Sequence, residues 1–227
     1  MSLQRILNVC QTVSIDRRKV IGIQYTRSEI AKITETPTRN PWRISLSIGA
    51  ALLYNQNRDL LEEIDRLDSR LPETISFSSN PNLSFMLAYQ GDAKANVANI
   101  TVTSFSGTTL TLGNLPAISG SVSANTVLFK KGDYIQIKTF PYPFTATADV
   151  LRGSGTTVAV TTHRPNFITE NGTQTIVGKG INVGNDVQFR MFCPSMPTYK
   201  LVSAIKNNPM IVWSGDFQLT EYTGEVV

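Results

Sequence analysis

Residues 39–71 read RNPWRISLSIGAALLYNQNRDLLEEIDRLDSRL. Trp42, Ile44, Leu46 and Ile48 alternate with Arg43, Ser45 and Ser47. That period of two puts an apolar row on one face of a strand and a polar row on the other. The period then changes. Leu60, Ile64, Leu67 and Leu71 recur at spacings of four, three and four, one stripe of an amphipathic helix, which Leu61 widens. Asn57 is placed to cap this helix, Asp59 to sit in its first turn, and Glu62 to pair with Arg66 at i, i+4. Pro72 bars the helix from continuing. A strand feeding a helix that covers it is the expected core, with the remaining strands packed around the pair.

The totals fit a β-rich chain. Its 227 residues allow one large or two small domains with a sizeable core. Hydrophobic residues make up 41% and charged residues 17%, a globular composition with less charge than average. The formal net charge of +4 and pI of about 9.1 fall short of the dense basic stripe of a dedicated nucleic-acid binder. The charge is uneven. Residues 1–40 hold seven basic and three acidic side chains, whereas residues 57–73 hold six acidic and three basic. Opposite-sign regions on one chain suit head-to-tail contact between copies, although ordinary surface charge reads the same way. Cys10 and Cys193, far apart in sequence, form no disulfide framework and fit as small buried hydrophobes. Residues 1–9 carry Arg5 and lack the apolar run of a secretory leader, and no stretch has the length of a membrane span. Folding in a reducing cytoplasm is expected.

In chain order, residues 9–16 alternate loosely and are expected to form a first strand. Residues 20–26 follow with Ile21, Ile23 and Tyr25 on one face. Residues 28–33 continue as a strand or hairpin arm, where Ile30 and Ile33 leave strict register and imply a bulge. Residues 35–41, with two prolines, are a loop. After the core pair, Ile75 and Phe77 share one strand face, SSNPN at 78–82 is turn chemistry, and Leu83, Phe85 and Leu87 share the face of another strand. From 93 to 178 no helix is expected. Short strands at 97–105, 108–112, 126–129, 133–139, 144–151 and 156–162 are separated by turns, with a hairpin signal at Ser106-Gly107. Such a run suits a small Greek-key barrel of the OB type. Residues 164–185, rich in Gly and Asn, read as loop. Val187, Phe189 and Met191 then share a face, and Pro194 and Pro197 break the run. Strands at 199–204 and 210–213 follow, and Phe217, Leu219 and Glu221 share a row of the last strand.

Chemistry-bearing patterns are sparse. His163 is the only histidine. With two distant cysteines it makes no zinc set, and in THRP it reads as a surface loop or strand-end residue. Gly153-Ser154-Gly155 is a turn, not a nucleophile elbow. Gly178-Lys179-Gly180 and Gly184 match no phosphate-binding loop. Glu62 and Glu63 point to different azimuths of their helix. Neither a catalytic site nor a cofactor or metal is proposed, and the chain is read as a non-enzyme. Phe129, Lys130, Lys131, Tyr134, Lys138, Phe140, Tyr142 and Phe144 partly fit the aromatic and basic platform of a single-strand binder, but also fit core aromatics beside a turn.

Two regions carry a family resemblance. In residues 16–92 they are DRRKVIGIQYTRSE, TRNPWRISLSI, RDLLEEIDRLD and LPETISFSSNPNLS; later come TATADVLRGSGTTVAVTTHRP at 145–165, VGNDVQFRMFCPSMPTYKLVSA and VWSGDFQLTEY. Together, over about residues 16–222, these resemble virion structural proteins of tailed bacteriophages, in the distal tail and baseplate-hub group that includes tail-tube initiator proteins. The motifs are patterns of strands and turns.

The resemblance implies a mainly β fold: a tail-tube-like sandwich or barrel domain with one flanking helix, plus an OB-like small β-barrel domain. Residues 1–92 and 183–227 would form the tube domain and 93–182 the insert; the alternative makes 93–227 a single C-terminal domain. It implies a structural subunit at the junction of tail tube and baseplate or tail tip, six copies closing a ring around a channel through which DNA passes without specific binding. Partners would be itself, the tail tube, and baseplate or tail-tip hub proteins. The chain would reside in the virion, after assembly in the host cytoplasm, with no membrane insertion. Gln24, Thr26 and Ser28, the polar row of the 18–34 hairpin, are candidates to line the lumen, or belong to an ordinary sheet hairpin. Glu62, Glu63, Asp65 and Asp68, on the outer helix face, are candidates to meet a neighbouring subunit or the basic N-terminal segment of another copy. Two other functions remain open: a tail-tip receptor- or carbohydrate-binding module, and an OB-type single-stranded nucleic-acid binder.

Overall fold

Trp42, Ile44, Leu46 and Ile48 line one buried face of a strand, as their alternation predicts, and the largest sheet is built outward from them. The computed structural model describes residues 2–18, 21–25, 31–35, 40–49, 52–66, 71–168, 175–203 and 207–224. Its elements in order are α1 (Ser2–Val9), β1 (Thr12–Asp16), β2 (Ile21–Tyr25), β3 (Ala31–Glu35), β4 (Arg43–Ser47), β5 (Leu52–Leu53), α2 (Tyr54–Asp65) and β6 (Glu73–Ser76), then β7 (Thr101–Ser106), β8 (Thr109–Gly113), β9 (Val127–Phe129), β10 (Tyr134–Ile137), β11 (Phe144–Thr145), β12 (Val150–Leu151) and β13 (Val158–Thr161), and finally β14 (Ile181–Val183), β15 (Gln188–Ser195), β16 (Tyr199–Val202), β17 (Met210–Trp213) and β18 (Phe217–Glu221). The protein is mainly β, with antiparallel sheets.

The main sheet has the order β1-β4-β18-β15-β6. Its register aligns the apolar rows. Val13 and Phe217 flank Leu46, Ile15 and Leu219 flank Ile44, and Phe189 lies opposite Ile75. These side chains form one core with Trp42, Phe77 and Met191. The opposite row is polar: Ser14 and Gln218 flank Ser45, and Thr12 lies opposite Ser47.

Two α-helices, not the expected one, cover the apolar face among the described residues. Residues 2–9 are a helix, so the first strand begins at Thr12 and not at residue 9. The signal was present: Leu3, Ile6, Leu7 and Cys10 follow helical spacing and all four are buried. The second helix, α2, ends at Asp65, well before Pro72. Leu60 and Ile64 pack into the core, while Leu71 is 54% exposed; Leu67 lies outside the described residues. Asn57 does not cap it by accepting from the backbone. It sits inside α2 at φ −124° and ψ 16°, and its amide donates to the Leu53 carbonyl at 2.9 Å. Glu62 and Arg66 do pair, at 3.9 Å.

A second core fills residues 93–181. The sheets β7-β8-β13 and β11-β10-β14 join through two bridges, Ala146 to Thr162 and Thr101 to Gly180. Thr147 N–H donates to Thr161 O at 2.9 Å on one side, and Val102 N–H to Lys179 O at 2.8 Å on the other. The strands thus close into a ring, β7-β8-β13-β11-β10-β14 and back to β7. Ile100, Leu112, Phe129, Ile137, Phe144 and Val160 are buried in this core. Gly107, at φ +53°, makes the anticipated hairpin turn between β7 and β8.

Other expectations need correction. Leu83, Phe85 and Leu87 do not form a strand: Ser84–Leu87 is a 3₁₀ turn that buries Leu83 and Leu87 and leaves Phe85 70% exposed. A 3₁₀ segment, Lys94–Asn99, replaces the first half of the strand expected at 97–105. The Gly- and Asn-rich stretch 164–185 contains β14, whose pairing with β10 outweighs its loop-like composition. Strand β15 runs through Pro194 to Ser195, with its register shifted against β18 between Phe192 and Ser195. Strands β2 and β3 pair without interruption from Ile21–Glu35 to Tyr25–Ala31, so no bulge falls within the ladder; Ile30 lies outside the described residues.

Because Ile64 is buried against the sheet, Ile64→Leu should cost less than about 1.5 kcal/mol in urea denaturation. Ile64→Asp should abolish the cooperative transition by burying an unpaired charge. A normally folded Ile64→Asp protein would overturn this core assignment.

Candidate functional site

Two features stand out as places where the chain can engage something: the edges of the main sheet, and the seam where the two cores meet. The two edges differ. Strand β6 is capped by α1. The Gln4 amide donates to Ser76 O at 3.0 Å and accepts from Ser76 N–H at 2.8 Å, imitating a neighbouring strand, while Leu3 N–H donates to Glu73. Strand β1, at the other end, pairs only with β4 among the described residues. An uncovered edge presents backbone donors and acceptors to an incoming strand. Its polar face continues across Ser14, Ser45, Ser47 and Gln218, where Gln218 donates to Ser45 Oγ at 2.9 Å and Ser45 donates to Asp216 at 3.1 Å. A second exposed patch lies on the β16–β17 hairpin, with Leu201, Val202 and Val212 open to solvent.

The acidic side of α2 finds its basic partner within the same chain. Arg5 of α1 donates to Asp59 at 2.6 Å and to Glu63 at 2.5 Å. Its hydrogen bond holds the Asp59 carboxyl below the usual carboxylate range. Glu63 is therefore engaged in the chain's own helix pair, and Glu62 and Asp65 are the exposed acids of the expected group. Asp68 lies outside the described residues. So do Thr26 and Ser28; Gln24 sits in β2 opposite Lys32.

The seam is built on a buried ion pair. Arg164 and Glu221 are both 0% exposed at the side chain. Arg164 engages both carboxylate oxygens, at 2.8 Å to Oε1, and also donates to Pro143 O at 2.8 Å. The rings of Phe144 and Phe167 lie 5.1 and 4.8 Å from the guanidinium carbon. Glu221 Oε2 also accepts from the Trp42 N–H at 3.1 Å, and Trp42 Nε1 donates to Pro143 O at 3.0 Å. Burial raises the Glu221 carboxyl, against the pull of Arg164 and the Trp42 N–H. A second tether joins Gln136 to the backbone of Gln188: Nε2 donates to its carbonyl at 2.9 Å, and its N–H donates to Oε1 at 3.0 Å. The row shared by Phe217, Leu219 and Glu221 placed an acid on a core face; Arg164 carried no comparable signal.

His163 belongs to this seam and not to the surface. Its ring lies 5.1 Å from that of Trp42, and Nδ1 accepts the Thr145 N–H at 3.0 Å. That bond occupies the Nδ1 lone pair and selects the neutral ring with its proton on Nε2. Burial, reinforced by Arg164 and Arg17, pushes its pKa down to about 2. Cys10 and Cys193 are buried free thiols, each pushed up to about 11 by burial. Phe129, Tyr142 and Phe144 are buried, Tyr134 packs at a tilt against Trp42, and Phe140 is half-buried. No group of metal-ligating side chains occurs among the described residues. No described helix is long and apolar enough to cross a membrane.

No protein-family model matches the chain, and no curated protein matches it.

Removing one charge from the buried pair leaves the other unpaired. Arg164→Met should therefore cost about 3–5 kcal/mol in urea denaturation, and the double variant Arg164→Met/Glu221→Leu should recover most of that loss. His163 is neutral when folded and titrates near 6.5 when unfolded, so the unfolded chain binds more protons below pH 6.5. Stability should fall as the pH drops from 6.5 toward 5, by roughly 1.4 kcal/mol per pH unit from this group. Denaturation curves of His163→Gln should lack that contribution.

Proposed function

We propose that the chain is a non-enzymatic, ring-forming structural subunit of a phage tail, at the junction of the tube with the baseplate or tail tip. The observation that carries this reading is the asymmetry of the main sheet. One face is covered by two helices and one edge is capped by Gln4, while among the described residues the other edge and a polar face have no covering element. A sheet finished on one side and open on the other is suited to continuing into a copy of itself, and rotation about an axis closes such a contact into a ring. In this reading the ring is a homohexamer, and the Ser14, Ser45, Ser47 and Gln218 face looks onto the channel. Hydroxyl and amide groups there let DNA pass without specific binding. In the same reading the β2–β3 hairpin, which carries Gln24 and follows β1 in the chain, also lines the channel. Its other partners are the tail tube and baseplate or tail-tip hub proteins, and it resides in the virion.

The chain path supports an inserted module. It leaves the main sheet after β6 and re-enters at β15, which is hydrogen-bonded to β6. Everything that builds the second core lies between those neighbours. We assign residues 1–92 and 183–227 to a tail-tube-like domain and 93–182 to an inserted small barrel of the OB-like class.

Electron microscopy of the purified chain, and of tail assemblies containing it, should give six-fold rings with a central opening. Ser14→Lys, a charge on the open edge strand, should leave a folded monomer that no longer forms rings. A wild-type chain that stays monomeric at every concentration and within assembled particles would overturn the reading.

A further inference from the structure

A head-to-tail contact between copies joins two different patches of the chain, whereas a two-fold contact joins a patch to itself. Strand β1 supplies one open edge, and the sheet β16-β17-β5 supplies another. Among the described residues β16 pairs only with β17. At the far side of that sheet, β5 is two residues long and runs directly into α2. Neighbouring positions on a strand point to opposite faces. Leu201 and Val202 are such neighbours and both are 47% exposed; Val212, opposite Lys200 on β17, is 45% exposed. Strand β16 thus shows apolar side chains on both faces beside a row of N–H and C=O groups with no described partner, the makeup of a strand that has a neighbour on each side.

Strand β1 has the side chains that β16 lacks. Lys200 is the only charge in β16, and Asp16 ends β1. Set antiparallel with Leu201 opposite Ile15, the two strands bring Lys200 opposite Asp16 and Val202 opposite Ser14. Leu201 then meets the half-buried Ile15 on the helix-covered side of the main sheet, while Lys200 and Asp16 pair on its open side. Asp16 holds the exposed Arg18 at 2.9 Å, and a carboxylate has lone pairs for a second cation. Pairing of β16 with itself is less favourable, because two antiparallel copies would set their Lys200 side chains next to each other.

We propose that β16 of one copy pairs antiparallel with β1 of the next, in this register. The pairing rests on the ring reading above and names the two surfaces that meet at each junction. It joins the five-stranded sheet of one copy to the three-stranded sheet of the other. Because β1 and β16 are different strands, the contact does not close on two copies; it propagates until rotation closes the ring.

The test uses two full-length variants, Ser14→Cys and Val202→Cys, whose altered positions face each other in this register. Both positions are exposed, whereas the native thiols of Cys10 and Cys193 are buried and do not compete. Mixed in equal amounts under mild oxidation, at concentrations that give rings in electron microscopy, the variants should form a covalent dimer containing one of each. Neither should do so alone. Lys200→Glu, which sets two acids opposite each other, should raise the protein concentration needed for rings about tenfold while the monomer stays folded by circular dichroism. Rings that form without the mixed dimer, or that assemble as readily with Lys200→Glu, would overturn this pairing and leave the ring reading standing. A covalent dimer of Ser14→Cys with itself would reveal a two-fold contact at β1 and overturn the pairing as well. A chain that forms neither rings nor the mixed dimer would overturn both.

Discussion

The ion pair of Arg164 and Glu221 determines how the two cores sit on one another. Its members come from different cores, and neither touches solvent. Two charges removed from water need further hydrogen bonds beyond the pair itself. Here the Trp42 N–H donates to Glu221 and the Pro143 carbonyl accepts from Arg164, with two phenyl rings against the guanidinium. Such a pair is a weak source of net stability, because well-packed apolar side chains could do as well. Its effect is directional. A guanidinium fork and a carboxylate meet in few geometries, so the barrel docks in one orientation where apolar contact alone would permit several.

The main sheet shows the complementary economy of a surface finished on one side. Cross-strand rows of Ile, Leu and Phe face the helices, and rows of Ser, Thr and Gln face away. Helix α1 contributes twice, burying Leu3, Ile6 and Leu7 and using Gln4 as a substitute strand along β6. It also brings Arg5 to the acids of α2. The charge asymmetry seen along the sequence is thus spent partly inside one molecule.

Much of this was legible from residue patterns, for identifiable reasons. The alternations at 42–48, 187–191 and 217–221 survive because each strand has one wet face and one dry face, and period two is then unavoidable. Short barrel strands between Gly turns were also readable, since the turns mark their ends. Three kinds of feature were not. The helix at 2–9 spans only eight residues, so its spacing of three and four repeats too few times to stand out from the loose alternation that follows. The segment 83–87 mimics a strand, since Leu83 and Leu87 of its alternating row are buried by a turn and not by a pleat. The seam was invisible because Arg164 and Glu221 are 57 residues apart, and neither residue type advertises burial.

The placement of the strands has a consequence for how this chain is made. Strands β15 and β18 occupy the interior of the main sheet, yet they lie in the last forty residues of the chain. A ribosome releases β1, β4, β6 and both helices long before the strands that join them exist. Until then β4 has β1 on one side and an empty slot on the other, with Ile44 and Leu46 lacking half their neighbours. The barrel, whose pairings are more local, can close in the meantime. The sheet then completes last, by insertion of a C-terminal segment between strands already formed, which is the slow and aggregation-prone order of events expected when distant strands must meet. A chain truncated by a few dozen residues would keep its barrel and lose the middle of its sheet.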